Sequence, residues 1–275
     1  MSDQPSFGSW WPFTFAGVAR FAHRPLRVLL SFQLIVAGAS AAAIMLYFKN
    51  AWWPLVPNAL NQLPAEARFE NRELHWPVQA SLTELGRNAL AGIIVDLDLT
   101  GEAGQLSDLQ LEFGRRQWRI RSLLGYSQFN YDDRRLDLDA SALKPAWEAW
   151  KPALFVMFGA SSGAAILCCW IVLAGIGAPI AKLISFFADR DLTMGQAWKL
   201  CGAALMPGAL FFSAGIVLYA CSRLNLVGLA LTATIHLLIG VAFMLFAPCR
   251  LPKKAAPEPF TRRSDNPFKP RTSGS

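Results

Sequence analysis

Four stretches of the chain, 28–48, 153–176, 200–221 and 226–247, run without a single Asp, Glu, Lys or Arg. Each supplies the ~20 residues that a helix rising about 1.5 Å per residue needs to cross a hydrocarbon core of about 30 Å. A buried helix in a water-soluble protein rarely stays charge-free for so long. The pattern predicts a membrane α-helical fold, a four-helix transmembrane bundle with spans at 28–48, 152–177, 197–221 and 225–247; three spans and a re-entrant segment are the competing arrangement.

Between the first two spans the period of the apolar positions shifts toward two, the signature of strands with one buried face. Strands are expected at 69–76, 93–99, 109–113, 118–123 and 128–131, with 114–117 as a four-residue hairpin loop. Asp139 or Ser141 is placed to cap a following helix, Pro145 falls near its first turn, and Pro152 marks a start or a kink. Residues 49–151 therefore read as a small strand-rich α+β domain outside the bilayer. Further on, Gly175, Gly177 and Pro179 are expected to end the second span, and 180–188 to form a short interfacial helix. A cytoplasmic loop, 178–196, leads to the third helix, which Thr193 and Gln196 should open as a capping box and Pro207 should kink.

Charge fixes the orientation. The chain is 53% hydrophobic, only 16% charged and carries a net +7, and its basic residues gather at span edges rather than along a nucleic-acid face. Arg20, Arg24 and Arg27 precede the first span, Lys182, Arg190 and Lys199 lie between the second and third, and Arg250, Lys253, Lys254, Arg262, Arg263, Lys269 and Arg271 follow the fourth. The positive-inside rule places both termini in the cytoplasm and 49–151 on the other side. Residues 1–27, with Trp10, Trp11, Phe13, Phe15 and Phe21, read as a cytoplasmic interfacial segment, and 248–275 as a disordered basic tail. Trp52, Trp53, Trp147 and Trp150 mark the opposite interface. Ala37, Ala39, Ala41 and Ala43 resemble signal-peptidase sites, but they lie inside an apolar run longer than a typical signal core, so an uncleaved anchor is expected. All five cysteines lie in or beside spans, which implies no disulfide framework; small apolar packing residues are the simpler reading, a vicinal redox or metal site at Cys168 and Cys169 the other.

Candidate chemistry is sparse. Residues 96–101, Asp-Leu-Asp-Leu-Thr-Gly, follow the start of a calcium loop, with Asp96 and Asp98 as ligand or ion candidates; Ser107 stands where the loop needs a bidentate Glu, and a solvated strand face ending in a turn is the simpler reading. Within the spans, Gln33, Ser161 and His236 are the polar candidates, His236 because a titratable group there must face the bundle or a cavity. Gly159-Ala160-Ser161-Ser162-Gly163 matches G-x-S-x-G as letters, but in a continuous apolar helix rather than a strand-turn-helix. Ser161 and His236 lie at similar depth, an arrangement loosely similar to the intramembrane dyad of rhomboid proteases, though with four spans in place of six. Gly159 and Gly163 also form a GxxxG packing pair, for contacts within the bundle or across a homodimer. No catalytic, cofactor or metal motif stands out.

Several short segments, Leu63-Pro64, Phe69-Glu70-Asn71-Arg72-Glu73-Leu74, Trp76-Pro77, Gly92-Ile93-Ile94-Val95-Asp96, Trp10-Trp11-Pro12-Phe13 and Met206-Pro207, carry a further likeness. With the order of elements around them they resemble an uncharacterised bacterial four-span membrane protein family with one large extracytoplasmic loop, distantly similar to Yip-type proteins. The resemblance implies an architecture and a regulatory or accessory role in the bacterial inner membrane. The expectation is a non-enzymatic integral membrane protein that senses, scaffolds or regulates through its outer domain, with the bilayer, a second copy or another membrane protein as partner and no nucleic acid. The alternative is a small transporter or channel-like bundle with Gln33 and His236 along a polar path.

Overall fold

The computed structural model describes residues 13–77, 82–101 and 104–254. Trp10, Trp11 and the tail from 255 onward lie outside them. Among the described residues four helices are long and apolar enough to cross a membrane, and a separate strand-rich region sits between the first and second.

A short helix, α1 (Phe15–Arg20), is capped by the Thr14 hydroxyl, which accepts from the Gly17 N–H at 3.0 Å. Helix α2 (Leu26–Ala51) follows, then α3 (Leu55–Asn61), a two-turn helix that periodicity did not suggest. After the strands come α4 (Ala140–Phe187), α5 (Met194–Ala220) and α6 (Leu226–Phe246). Helix α5 is the hub, packed against each of α2, α4 and α6, while α6 leaves most of its surface outward. Backbone closeness depends on small residues: a Cβ at Gly208 would lie 2.5 Å from the His236 carbonyl oxygen, and one at Gly215 would lie 2.6 Å from Thr232 Oγ1.

Helix α4 differs from the expected pattern. One continuous helix replaces a capping helix, a span and an interfacial helix, with Pro145, Pro152 and Pro179 all inside it. Asp139 is its cap, accepting from the Ser141 N–H at 2.9 Å; the Ser141 hydroxyl and N–H together hold the Asp139 carboxyl below its ordinary range. Gly177 does not end the helix. It admits Met244 and Cys201, whose sulfurs lie 3.0 and 3.2 Å from where its Cβ would be, so it serves close packing. The expected loop at 178–196 shrinks to the few residues between α4 and α5. Both hydrogen bonds of the Thr193–Gln196 capping box are present, at 2.8 and 3.3 Å.

The basic ends gather at one end of the bundle. Lys199 Nζ donates to the Arg24 carbonyl at 2.8 Å, the Lys254 N–H donates to the Asp189 carbonyl at 3.0 Å, and Arg190 donates to the Leu251 carbonyl.

The strand-rich region sits at the other end and holds two sheets. The smaller has the order β2 (Glu73–His75), β1 (Arg68–Glu70), β8 (Leu136–Asp137), all antiparallel. The strand expected at 69–76 is in fact the β1–β2 hairpin, because Asn71 and Arg72 both take positive φ, 52° and 62°, as a two-residue hairpin turn requires. The larger sheet runs β3 (Leu82–Arg87), β4 (Ala91–Asp96), β5 (Leu109–Phe113), β6 (Gln117–Ser122), β7 (Gly125–Asn130). Only β4 and β5 are parallel, joined by the connection from Leu97 to Asp108. Their inward face, with Ile93, Val95, Leu111 and Phe113, closes over α3 in a cluster that extends to Ala51 and Tyr219 at the ends of α2 and α5.

Candidate functional site

Inside the bundle the polar candidates are each tied to backbone on separate faces. Gln33, 4% exposed, donates to the Gly202 carbonyl of α5 at 3.2 Å. His236 stacks on Phe212 with ring centroids 5.2 Å apart, and its Nδ1 lies 2.8 Å from the Ala233 carbonyl, which makes Nδ1 the protonated nitrogen. Gln33 meets α5 at Gly202 and His236 meets it at Gly208, about 9 Å further along the axis. Each bonds to its own backbone neighbour, Gln33 to the Gly202 carbonyl and His236 to the Ala233 carbonyl. Ser161, exposed on α4, donates to its own helix at the Phe158 carbonyl, 3.0 Å away, and is not paired with His236. Gly159 and Gly163 face α2, where an added Cβ at Gly159 would overlap Met45 Sδ and one at Gly163 would lie 3.8 Å from Ala41 Cβ. A further polar contact joins α2 to α5: the Ser213 hydroxyl donates to the Ser40 hydroxyl at 2.8 Å.

Asp96 and Asp98 part company. Asp96 is buried and accepts from the Gly101 N–H at 3.3 Å, closing the turn after β4, whereas Asp98 points to the exterior. Among the described residues no three His, Cys, Asp or Glu side chains converge as a metal site. The acidic residue of consequence is Glu112, fully buried on the outward face of β5. Arg119 Nε lies 2.9 Å from its Oε2, at an angle outside hydrogen-bond geometry, and Arg121 Nη1 lies 3.2 Å from its Oε1. Gln110 Nε2 donates to the same carboxylate at 2.8 Å and to the Gly104 carbonyl at 3.1 Å; Arg119 Nη2 donates to the Leu99 carbonyl at 2.5 Å. These bonds hold Leu99 and Gly104, in the connection between β4 and β5, against the sheet. Two glycines allow it so close, since Cβ atoms at Gly92 and Gly114 would lie 2.6 Å from Ser107 Oγ and Leu99 Cγ.

At the seam between sheet and bundle the contacts are direct. Tyr219, in the last turn of α5, donates from its hydroxyl to Asp108 Oδ2 at 2.9 Å, and its ring stacks on Tyr47 of α2 at 5.6 Å. Asn50 donates to the Ala220 carbonyl at 3.0 Å, and Asn88, in the β3–β4 turn, donates to the Ala51 carbonyl at 2.7 Å. Both carbonyls belong to helix ends, where backbone acceptors have no partner within the helix. Asn88 also accepts from Leu90 N–H and Ala91 N–H at 2.9 and 2.8 Å, so one side chain joins the turn to the bundle.

Below the larger sheet lies a cavity. Val56, Ala59 and Leu63 floor it, Leu74, Ile93 and Phe113 roof it, and every other lining residue is apolar or aromatic as well. Its volume is about 190 Å³. Ala59, Leu74, Leu85, Ile93 and Val95 are buried, whereas the lining residues at both margins, Val56, Leu60, Leu63, Leu138 and Leu143 beside the helices and Phe69, Trp76, Leu111 and Phe113 on the sheets, are half-buried.

No family model, curated protein or solved structure matches the chain.

Proposed function

We propose that this chain is a multi-pass protein of the bacterial inner membrane whose strand-rich domain lies outside the cytoplasm, binds a ligand there and passes that event to the bundle without catalysing a reaction. Helices α2, α4, α5 and α6 are the spans, and the basic end, with Arg24, Lys199 and Lys254, is cytoplasmic. One observation carries the transmitting role: Tyr219 of the hub helix is bonded to Asp108, the residue that leads the pinned connection into β5. A shift of that connection must move or break a contact to the helix that packs against the other three spans.

Hydrogen exchange on the full chain in detergent tests the coupling. In Tyr219→Phe the amides around Asp108 and those of the last turn of α5 should exchange faster together, while the middle of α5 keeps its protection. Unchanged exchange at both places would remove the coupling from the proposal.

A further inference from the structure

We infer that the cavity beneath the larger sheet holds one hydrocarbon chain of a membrane lipid, drawn up out of the outer leaflet. This rests on the membrane placement proposed above. The lining, with Val56, Leu63, Leu74, Ile93, Phe113 and Leu143 among its walls, is apolar and carries no charge; the indole N–H of Trp76, also in the lining, is its one buried side-chain donor without a partner among the described residues. Its volume of about 190 Å³ is somewhat larger than an engineered cavity of about 150 Å³ that stays dry and takes up benzene. A single chain end fits it by volume, and a charged headgroup is disfavoured there because the apolar lining would not repay its desolvation.

The location supplies the source. Helix α3 begins at Leu55, directly after Ala51 ends α2, and it forms the floor. Trp53, between the two helices, stacks on Phe155 of α4 with ring centroids 4.8 Å apart, and Lys151 Nζ sits 5.3 Å from the Trp53 ring centroid. An aromatic ring beside a basic residue is the usual marking of the headgroup level. The half-buried lining on the helix side, Val56 and Leu63 at α3 and Leu143 in the first turn of α4, is the margin nearest that level, within reach of a chain bent outward.

The test uses the full chain in lipid nanodiscs containing a phospholipid with a photoreactive diazirine at the end of one acyl chain. Chain ends normally sit at the bilayer centre, so crosslinks to α6 are expected in any case. Crosslinks to 56–63 and 138–143 are expected only if a chain enters the domain. Ala59→Phe, which fills the floor, should abolish the domain crosslinks and leave those on α6. Leu143→Glu is the second variant, because a carboxylate in the first turns of a helix suits the helix dipole while placing a charge at the helix-side margin; it should give the same selective loss. Crosslinks on α6 alone in the unsubstituted chain would overturn the inference and spare the membrane placement, whereas no crosslinks on α6 would overturn the placement itself. Domain crosslinks that persist in both variants, or that form with a diazirine-bearing free fatty acid but not with the phospholipid, would also overturn it.

Discussion

The bundle and the strand-rich domain hold together by opposite means. In the bundle, helices approach until glycine is the only residue that fits, as at Gly208 against the His236 carbonyl, and polar side chains are few and bonded to nearby backbone. In the domain, a buried carboxylate between two arginines pins a long connection on one side of the sheet, and a cavity is left on the other. Where lipid and helix are equally apolar, shape must do the discriminating; where water competes, bonded charge can fix a segment in place.

Removing the charge should have the largest effect. Glu112→Ala leaves Arg119 buried without its counter-ion, and breaking a buried pair in this way costs about 3–5 kcal/mol. Thermal unfolding of the full chain should show the domain melting well before the bundle; a melting point unchanged for the domain would mean that the pair does not hold it. Next comes the bundle's own limit. Gly208→Ala drives a Cβ to 2.5 Å from a backbone oxygen, so α5 and α6 must separate, at about 1–3 kcal/mol. Here the loss should appear in the bundle transition and leave the domain's untouched. The smallest effect is set by pH. Burial pushes the Tyr131 phenol above its ordinary 10.0, so the folded domain favours the neutral form. That stabilisation is complete below pH 10 and is lost as the pH rises through the folded value, so Tyr131→Phe should reduce the domain's loss of stability above about pH 10. An identical alkaline profile in the variant would exclude Tyr131 as the cause.

The bundle was legible because a charge-free run of membrane length is rare in a helix that does not cross a bilayer, and α2, α5 and α6 lie where those runs predict them. The extent of α4 was not, since Gly175, Gly177 and Pro179 look like a stop until neighbouring Met244 and Cys201 are seen to need the space. In the domain, β5 and β6 were visible through alternation. Strand β3 was missed because Leu82-Thr83-Glu84-Leu85-Gly86-Arg87 mixes charge with glycine, and a bulge at Glu84–Gly86 breaks its period.

The candidate site was the least visible. Gln110 and Glu112 read as the wet face of a strand, while Asp96 and Asp98 carry the more familiar ligand spacing. The available signal was Arg119 and Arg121, two residues apart on the next strand, which match Gln110 and Glu112 in register. Nothing local marks the cavity, whose walls come from α3, six strands or strand flanks, and α4, or the seam from Tyr219 to Asp108, separated by 111 residues.

Everything above the seam depends on which side of a membrane it faces. Cysteine accessibility in spheroplasts, in a background without the five native cysteines, tests this most directly, with reporters at the exposed positions Ser127 on β7 and Asp191 between α4 and α5. The proposed topology predicts that an impermeant maleimide labels Ser127→Cys in intact spheroplasts and Asp191→Cys only after permeabilisation. Labelling of Asp191→Cys in intact spheroplasts, with Ser127→Cys protected, would contradict it.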